Sequence, residues 1–162
     1  MTTTPPHSPS VSLREITADT VRAVTKLVVT EYQNRFVAPN AVSLSQALFS
    51  PDAWYRAIYR DDELVGFVML SDQTLLNPAP EKPHMWVWRL MVDARFQRQG
   101  IGRAAMQLVI AHARAKGVFD QLMISYVPDE GSPEPLYRSL GFVPTGRVDE
   151  DGEVEMALPL GR

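Results

Sequence analysis

The stretch that most limits the fold is an apolar run followed by a glycine-containing loop and an alanine-rich segment. The run HMWVWRLMV, residues 84–92, is apolar enough for a central β-strand. Seven residues separate it from Gly100, and Gly102 follows. In residues 103–116 apolar side chains recur at helical spacing, and the next residue, Gly117, is typical of a helix end. The segment therefore predicts a strand, a tight loop and a helix in succession.

The N-terminal part has the pattern of a strand and two helices. Residues 11–16 resemble a strand, and Asp19 is placed to cap a helix. The apolar residues at helical spacing in that helix are Val21, Val24, Val28 and Tyr32. A turn at Pro39-Asn40 follows, and Ser43 has the spacing of an N-cap in a capping box. We expect a second, short helix there.

The other segments predict the rest of a sheet. Residues 54–70 hold two apolar runs around an acidic turn, the pattern of an antiparallel hairpin in which Gly66 indicates a close backbone approach. Residues 71–83 contain three prolines and predict a loop. A strand over 120–126, a short helix over 135–140 and two closing strands over 142–146 and 154–158 follow. The predicted fold class is α/β, a mixed sheet with helices on both faces.

Composition excludes several kinds of chemistry. The chain has no cysteine, which excludes disulfides, a thiolate nucleophile and cysteine-ligated zinc. Its three histidines show no metal-ligand spacing, so we expect no metal. The net charge of −3 argues against nucleic acid as a partner. No apolar run approaches the roughly 18 residues of a membrane span, so we expect no membrane association.

The first ten residues have neither the basic segment nor the apolar core of an export signal. We therefore expect a flexible N-terminal arm over 1–10, a single domain over 11–162 and a cytoplasmic location. A homodimer is compatible with this organisation.

The glycine loop has the features of a phosphate-binding site. A helix start presents backbone N–H groups without intrahelical partners, and the macrodipole adds partial positive charge. Gly100 and Gly102 let a diphosphate approach the backbone, while Arg95, Arg98 and Arg103 supply charge. A tight turn with solvated arginines is an equal alternative from spacing alone. The dinucleotide fingerprint G-x-G-x-x-G/A also matches, but the strand ends too far before Gly100 for that fold.

The chain resembles the GNAT N-acetyltransferases. Residues 97–102, QRQGIG, match their acetyl-CoA loop, LYRSLGFVPTG resembles their tyrosine-bearing helix and next strand, and AIYRDDELVGFVML resembles their central hairpin. The segments FVAPNAVSLSQA, VWRLMVD and DEDGEVEMALPL resemble the small bacterial spermine/spermidine acetyltransferases within the family. The resemblance implies a mostly antiparallel central sheet, splayed where acetyl-CoA binds, and transfer of its acetyl group to a small-molecule amine.

The resemblance also implies roles for individual residues. The implied cofactor-binding residues are Leu90, Met91, Val92, Gln97, Arg98, Gln99, Gly100, Ile101, Gly102, Arg103, Ala104 and Ser125. Tyr137 matches the general acid that protonates the CoA thiolate, and the alternative is that it only packs in the core. Because no cysteine can form an acyl-enzyme, we expect the amine to attack the thioester directly.

The acceptor site is less defined in the sequence. Glu31, Asn40, Trp54 and Tyr126 are the candidate acceptor-binding residues, and Glu31 acting through water is a candidate base. The central strand carries Trp88-Arg89 where relatives often carry a glutamate, so the base stays open. The acidic turn 149–155 either attracts a polyamine or is a plain exposed loop. A protein amine or an aminoglycoside as acceptor, and a silent acyl-CoA sensor, remain alternatives.

Overall fold

A computed structural model describes residues 9–161. The predicted arm over 1–10 therefore falls mostly outside the described residues. Ser10 exchanges hydrogen bonds with Asp61, donating from its N–H to the carboxylate and accepting from the Asp61 N–H. The strands are β1 (Val11–Arg14), β2 (Ala53–Arg60), β3 (Glu63–Asp72), β4 (Met85–Val92), β5 (Gln121–Tyr126), β6 (Val143–Val148) and β7 (Val154–Pro159). The helices are α1 (Val21–Lys26), α2 (Asn40–Ala47), α3 (Ile101–Lys116) and α4 (Glu134–Ser139).

The seven strands form one mixed sheet in the order β1-β2-β3-β4-β5-β7-β6. All neighbouring strands are antiparallel except β4 and β5, which are parallel and joined through α3. This confirms the predicted α/β fold with a mostly antiparallel sheet. None of the helices within residues 9–161 is long and apolar enough to cross a bilayer.

Two apolar cores cover the two faces of the sheet. Because side chains alternate along a strand, Val68 and Leu70 of β3 face α3 and α4, while Phe67 and Met69 face α1 and α2. Each of these four side chains is fully buried. Helices therefore cover both faces, as the sequence predicts, and the two sides of the central strands have different surroundings.

The first helix is shorter than predicted. It begins after Thr20, not at an Asp19 cap, and ends at Lys26, where Leu27 takes an extended conformation with ψ of 134°. Val28 and Tyr32 are consequently exposed and do not belong to its apolar face, which corrects the prediction. The physical reason is a tertiary contact, since the Val28 N–H donates to the buried Asp93 carboxylate (3.0 Å) and leaves the helical path. Residues Glu31–Arg35 then form a separate 3₁₀ turn.

The predicted Ser43 cap is also wrong. Helix α2 begins at Asn40, directly after Pro39, which has a φ of −53° and an extended ψ of 145°. Ser43 therefore lies one turn inside the helix and is fully buried. Pro39 is therefore the N-cap residue, and no side chain caps the first turn of α2.

Two glycine predictions are confirmed. A Cβ on Gly66 would lie 2.5 Å from the carbonyl oxygen of Met91, so β3 and β4 approach too closely there for any side chain. Gly117 ends α3 in the left-handed region with φ of 67°. Helix α3 itself begins at Ile101, two residues earlier than predicted, and β3 extends to Asp72 in the predicted loop.

A cluster of polar residues lies at the C-terminal half of α3. The Asp72 carboxylate is fully buried and pairs with Lys116 (2.7 Å). His112 stacks on Trp54 with ring centroids 4.4 Å apart, and its Nε2 is buried without a hydrogen-bond partner among the described residues. Burial, and then the charge of Lys116, lower the pKa of His112, although Asp72 acts in the opposite direction.

This shift predicts acid sensitivity. Since the pKa of His112 is lower in the folded protein than the roughly 6.5 of an unfolded chain, the unfolded state binds the proton first as pH falls. The free energy of unfolding should therefore fall below about pH 6.5, by at most about 1.4 kcal/mol per pH unit from this group. His112→Phe keeps the stacked ring and should lose less stability than wild type in denaturant melts between pH 7.5 and 5.5. His84→Gln, at an exposed histidine, should behave as wild type, and an equal loss in all three proteins would contradict the assignment.

Candidate active site

The central sheet opens between β4 and β5. The two strands pair only over Met85–Val87 and Leu122–Ile124. On its other edge β4 has a bulge at Trp88, where its register with β3 shifts by one residue. A cavity of about 840 Å³ occupies the opening. The opening leaves strand-edge backbone groups of β4 facing the cavity.

The orientation of those backbone groups follows from two hydrogen bonds. The Asp93 N–H donates to Val65 on the β3 side (2.8 Å), whereas the Val92 carbonyl accepts from the Gln97 side chain (2.9 Å). Because backbone groups alternate in direction along a strand, the N–H groups of Leu90 and Val92 point away from β3, into the opening. Two donors are therefore aligned toward one side of the cavity, an arrangement that suits an oxyanion.

The loop before α3 exposes the backbone N–H groups of a helix start. Arg98 and Gly100 both have positive φ, 61° and 77°, a left-handed conformation that also occurs in backbone anion-binding turns. A Cβ added to Gly102 would meet nothing closer than 3.7 Å, at the Leu136 side chain, and Gly102 lines the cavity. The free space above Gly102 and the unpaired amides of the helix start fit a diphosphate.

An amide pair holds this loop against the segment that covers the cavity. The Gln97 Nε2 donates to the Gln33 Oε1 (2.8 Å), and the Gln33 Nε2 donates back to the Gln97 Oε1 (3.0 Å). Gln97 also bonds the Val92 carbonyl. Gln97 is thus a positioning residue that joins β4, the glycine loop and the 3₁₀ turn.

The predicted cofactor residues divide into two groups. Those that line the cavity are Leu90, Met91, Val92, Gln97, Gly102 and Ser125. Those outside its lining are Arg98, Gln99, Gly100, Ile101, Arg103 and Ala104. Ile101 is buried in the core, Gln99 accepts a hydrogen bond from Arg60, and Arg103 donates one to Ser139. The exposed members surround the helix start, so they form a rim outside the cavity.

Asp93 anchors the end of β4. Its side chain is 2% exposed and accepts hydrogen bonds from the Val28 N–H (3.0 Å) and from the backbone and side chain of Arg95. Burial acts to raise the pKa of Asp93, but these hydrogen bonds and the charge of Arg95 hold it below its ordinary value. The carboxylate stays charged and fixes both the loop and the α1–α2 connection relative to the opening.

Tyr137 lies in the cavity wall, on α4. It is 6% exposed and packs on Phe142 with ring centroids 6.0 Å apart. Burial, and then the charge of Glu153, raise its pKa far above its ordinary value. The phenol therefore keeps its proton at neutral pH and can only act as a proton donor. Packing and proton donation are compatible, because the ring contacts the core while the residue lines the cavity.

The acidic turn between β6 and β7 forms another wall. Asp149, Asp151 and Glu153 line the cavity. The Asp149 Oδ1 accepts from the N–H groups of Asp151 and Glu153 (both 2.9 Å), which shapes the turn. The Ser125 hydroxyl on β5 donates to the Glu153 Oε2. The sequence signal was the run DEDGEVE, but only the contact between β5 and β7 shows that it faces the opening.

The side of the cavity formed by β3 and β4 carries Ser71, Trp86, Trp88 and Arg89, and Asp52 lies beside Ser71. The Ser71 hydroxyl donates to the Asp52 carboxylate. Arg89 donates to the Trp88 carbonyl (2.9 Å), and burial lowers its pKa while the charge of Glu153 acts to raise it. This side combines one carboxylate, two indole rings and one half-buried guanidinium.

A pair of contacts, here called the bridge, joins two loops beside the cavity. The Tyr32 hydroxyl donates to the Glu130 carbonyl (2.7 Å), and Arg35 pairs with Asp129. Arg35 also lies over the Tyr32 ring, 4.4 Å from its centroid. Segments on both sides of this bridge line the cavity, so the 3₁₀ turn covers part of the site.

The structure places one of the four predicted acceptor residues in the cavity. Tyr126 lines it, and burial, then Glu134, raise its pKa. Glu31 is exposed and outside the lining. Asn40 is buried and donates to the Val24 carbonyl (3.0 Å). Trp54 stacks on His112 and packs against the core that faces α3. Among the described residues no group of three His, Cys, Asp or Glu side chains is arranged to hold a metal ion.

The family model described as the acetyltransferase (GNAT) family matches residues 21–142. The spermine/spermidine N(1)-acetyltransferase of Bacillus subtilis is 24% identical over 153 residues, which cover 93% of this chain and 99% of that protein.

Solved structures show the same fold. The ribosomal-protein-S18-alanine N-acetyltransferase of Escherichia coli superposes with a TM-score of 0.67 at 19% identity, covering 96% of each chain. An aminoglycoside acetyltransferase in complex with coenzyme A superposes with a TM-score of 0.72 at 12% identity, covering 93% of this chain and 95% of that one.

The space above Gly102 generates a prediction. Gly102→Ala should leave the melting temperature nearly unchanged, because the new Cβ meets only ordinary contacts at 3.7 and 3.9 Å. It should weaken coenzyme A binding about tenfold, or about 1.4 kcal/mol, because the methyl group occupies the space a diphosphate needs. Calorimetric titration measures this, with Gln107→Ala on the exposed face of α3 as control. Equal affinity in wild type and Gly102→Ala would place the diphosphate elsewhere.

Proposed function

Because the chain belongs to the acetyltransferase (GNAT) family and is thereby an acetyl-CoA-dependent N-acetyltransferase, we propose that its acceptor is a polyamine such as spermidine or spermine. The similarity to the Bacillus subtilis enzyme supports this proposal but does not carry it at 24% identity. The supporting evidence lies in the charges of the cavity.

The observation that carries the proposal is the distribution of charge: carboxylates line the cavity, whereas the arginines of the glycine loop lie outside it. The charged residues lining the cavity are Asp52, Arg89, Asp149, Asp151 and Glu153. Four carboxylates face one guanidinium, which favours an acceptor with several positive charges. The rings of Trp86 and Trp88 offer cation–π contacts to ammonium groups. The positive charges of the glycine loop lie at its rim, where they suit the diphosphate of the cofactor.

The distance along β4 from the Asp52 side of the cavity to the Leu90 amide fits a long acceptor. Ser71, which holds Asp52, pairs with Trp86, and Trp86 precedes Leu90 on β4 with the Trp88 bulge between them. Three regular strand steps and a bulge span roughly 10 Å. The terminal nitrogens of spermidine are nine bonds apart, roughly 11 Å when extended at about 1.2 Å per bond. Asp52 therefore lies where the second end of such an acceptor would reach.

The proposed reaction is a direct attack in a ternary complex. The neutral amine attacks the thioester carbonyl carbon while the N–H groups of Leu90 and Val92 stabilise the oxyanion, which typically contributes a few kcal/mol. The carbon–sulfur bond then breaks, and the Tyr137 hydroxyl protonates the leaving sulfur. A thiol has a pKa near 8.5, well below that of Tyr137, so this transfer is uphill and is completed when the product nitrogen returns a proton to Tyr137.

The test of the acceptor is thiol release from acetyl-CoA with spermidine, butylamine, a lysine peptide, an N-terminal ribosomal peptide and an aminoglycoside. Spermidine should exceed butylamine at least tenfold in kcat/KM, because its distal ammonium contacts Asp52. Asp52→Asn should remove most of this preference through KM, by about 1.4 kcal/mol. Asp62→Asn, at the exposed turn after β2, is the matched control. Turnover of the peptides or the aminoglycoside with inert polyamines would contradict the proposal.

Tyr137→Phe tests the proton donor. The variant should lose about 10²- to 10⁴-fold in kcat while its affinity for coenzyme A stays the same, because only the hydroxyl is removed. Tyr59→Phe, on β2 outside the cavity, should have wild-type kcat. A wild-type protein that binds coenzyme A but acetylates no amine in the panel would be a sensor, and Tyr137 would then have only its packing role.

A further inference from the structure

We propose that Glu153 is the general base of the reaction and that Ser125 is its positioning residue. The inference rests on the proposed amine acetylation. It assigns the proton acceptor at the same site, for which the central strand provides no carboxylate, since it presents Trp88 and Arg89 at the bulge.

Glu153 is held at the opening itself. Ser125 is the first β5 residue after Ile124, the last position at which β5 pairs with β4. Its hydroxyl donates to the Glu153 Oε2. The backbone of Glu153 is fixed from the other side, because its N–H donates to Asp149 and its carbonyl accepts from the Asp149 N–H (3.0 Å). The carboxylate therefore has a defined position beside the gap between β4 and β5.

The other carboxylates of the cavity have different positions. The Asp149 Oδ1 is occupied by two N–H groups of its own turn. Asp52 bonds Ser71 at the distal end. Asp151 is exposed at the tip of the turn, and Glu31 lies outside the cavity. Of these side chains only Glu153 is hydrogen-bonded to β5 at the point where the strands separate.

The groups around Glu153 come from four elements. Arg89 faces it from β4, Tyr137 from α4, the neutral Ser125 from β5, and Asp149 and Asp151 from its own turn. The charge of Glu153 acts on the pKa of both Tyr137 and Arg89, second to burial in each case. The proposed base and the proposed acid therefore lie within electrostatic range of one another.

The proton balance is complete with these two residues. Glu153 takes one proton from the bound ammonium, and the neutral nitrogen attacks the carbonyl carbon. The carbon–nitrogen bond forms, the carbon–sulfur bond breaks, and Tyr137 gives its proton to the sulfur. The second proton of the nitrogen restores Tyr137, and Glu153 releases its proton to solvent. The net products are the acetamide, free CoA thiol and one proton.

The two transfers are coupled by charge. Ionised Glu153 opposes ionisation of Tyr137, because it adds negative charge nearby. Once Glu153 has accepted the ammonium proton it is neutral, and this opposition disappears. Tyr137 thus becomes a stronger acid at the stage when the sulfur needs a proton. Acceptor deprotonation prepares leaving-group protonation.

The experiment compares Glu153→Gln with Glu150→Gln, an exposed glutamate of the same turn that does not line the cavity. At pH 7 Glu153→Gln should lose about 10²- to 10⁴-fold in kcat with the best acceptor of the panel. Its rate should then rise about tenfold per pH unit up to pH 9, because the neutral fraction of an amine with a pKa near 10 rises tenfold per unit. Glu150→Gln should follow the wild-type profile.

A weakly basic acceptor separates base catalysis from binding. Glycinamide has an amine pKa near 8, so a substantial fraction is neutral at pH 7 to 8 without any base. The ratio of wild-type to Glu153→Gln kcat/KM should be at least tenfold smaller with glycinamide than with the polyamine. Ser125→Ala should lower kcat with little change in KM, and its pH profile should shift toward that of Glu153→Gln. Melting curves with and without coenzyme A verify that each variant folds and binds.

The outcomes are distinct. A Glu153→Gln defect that is the same at every pH and with both acceptors would mean a structural or binding role and would overturn the inference while leaving amine acetylation intact. Wild-type rates in Glu153→Gln would overturn it equally. A wild-type protein without turnover on any amine would overturn both the proposed function and this inference.

Discussion

The structure of the site depends on the loss of pairing between β4 and β5 after Val87 and Ile124. A parallel pair that continued would satisfy the N–H groups of Leu90 and Val92 and would bury the strand edge. Because it stops, two amides stay free at the centre of the sheet, and a cavity forms without disrupting either apolar core. The bulge at Trp88 bends β4 at the same place. The gap between β4 and β5 removes a few backbone hydrogen bonds between the strands. It leaves N–H donors that water or a substrate can satisfy.

Buried polar contacts then fix the surroundings of this opening. Asp93 joins the end of β4 to Val28, which breaks the first helix and directs the chain over the cavity. The Gln33–Gln97 pair joins the covering turn to the glycine loop. Each contact links segments more than 60 residues apart in sequence. The chain therefore uses side chains, and not only strand pairing, to fix the two proposed substrate regions relative to one another.

The sequence predicts those parts that depend on local conformation. The glycine loop, the end of α3 at Gly117 and the close approach at Gly66 follow from what a residue without a Cβ permits, and the fold class follows from apolar periodicity. Features that depend on distant contacts are missed. Val28 leaves the helix because of Asp93, Ser43 is internal because Pro39 sets the helix start, and the acidic turn faces the cavity because β7 pairs with β5. For Asn40 and Trp54, tertiary packing places the side chains outside the cavity lining.

The bridge between Tyr32 and Glu130 has a consequence for how molecules leave the site. The glycine loop and the acidic turn, the proposed regions for the diphosphate and the acceptor, lie on opposite sides of the gap between β4 and β5. Under that proposal, a compound that joins CoA covalently to a polyamine would run through the gap. The hydroxyl–carbonyl contact and the neighbouring Arg35–Asp129 pair join the segments on either side of the cavity, so breaking them should speed the release of such a compound. The dissociation rate of such a compound would therefore report how often the bridge opens.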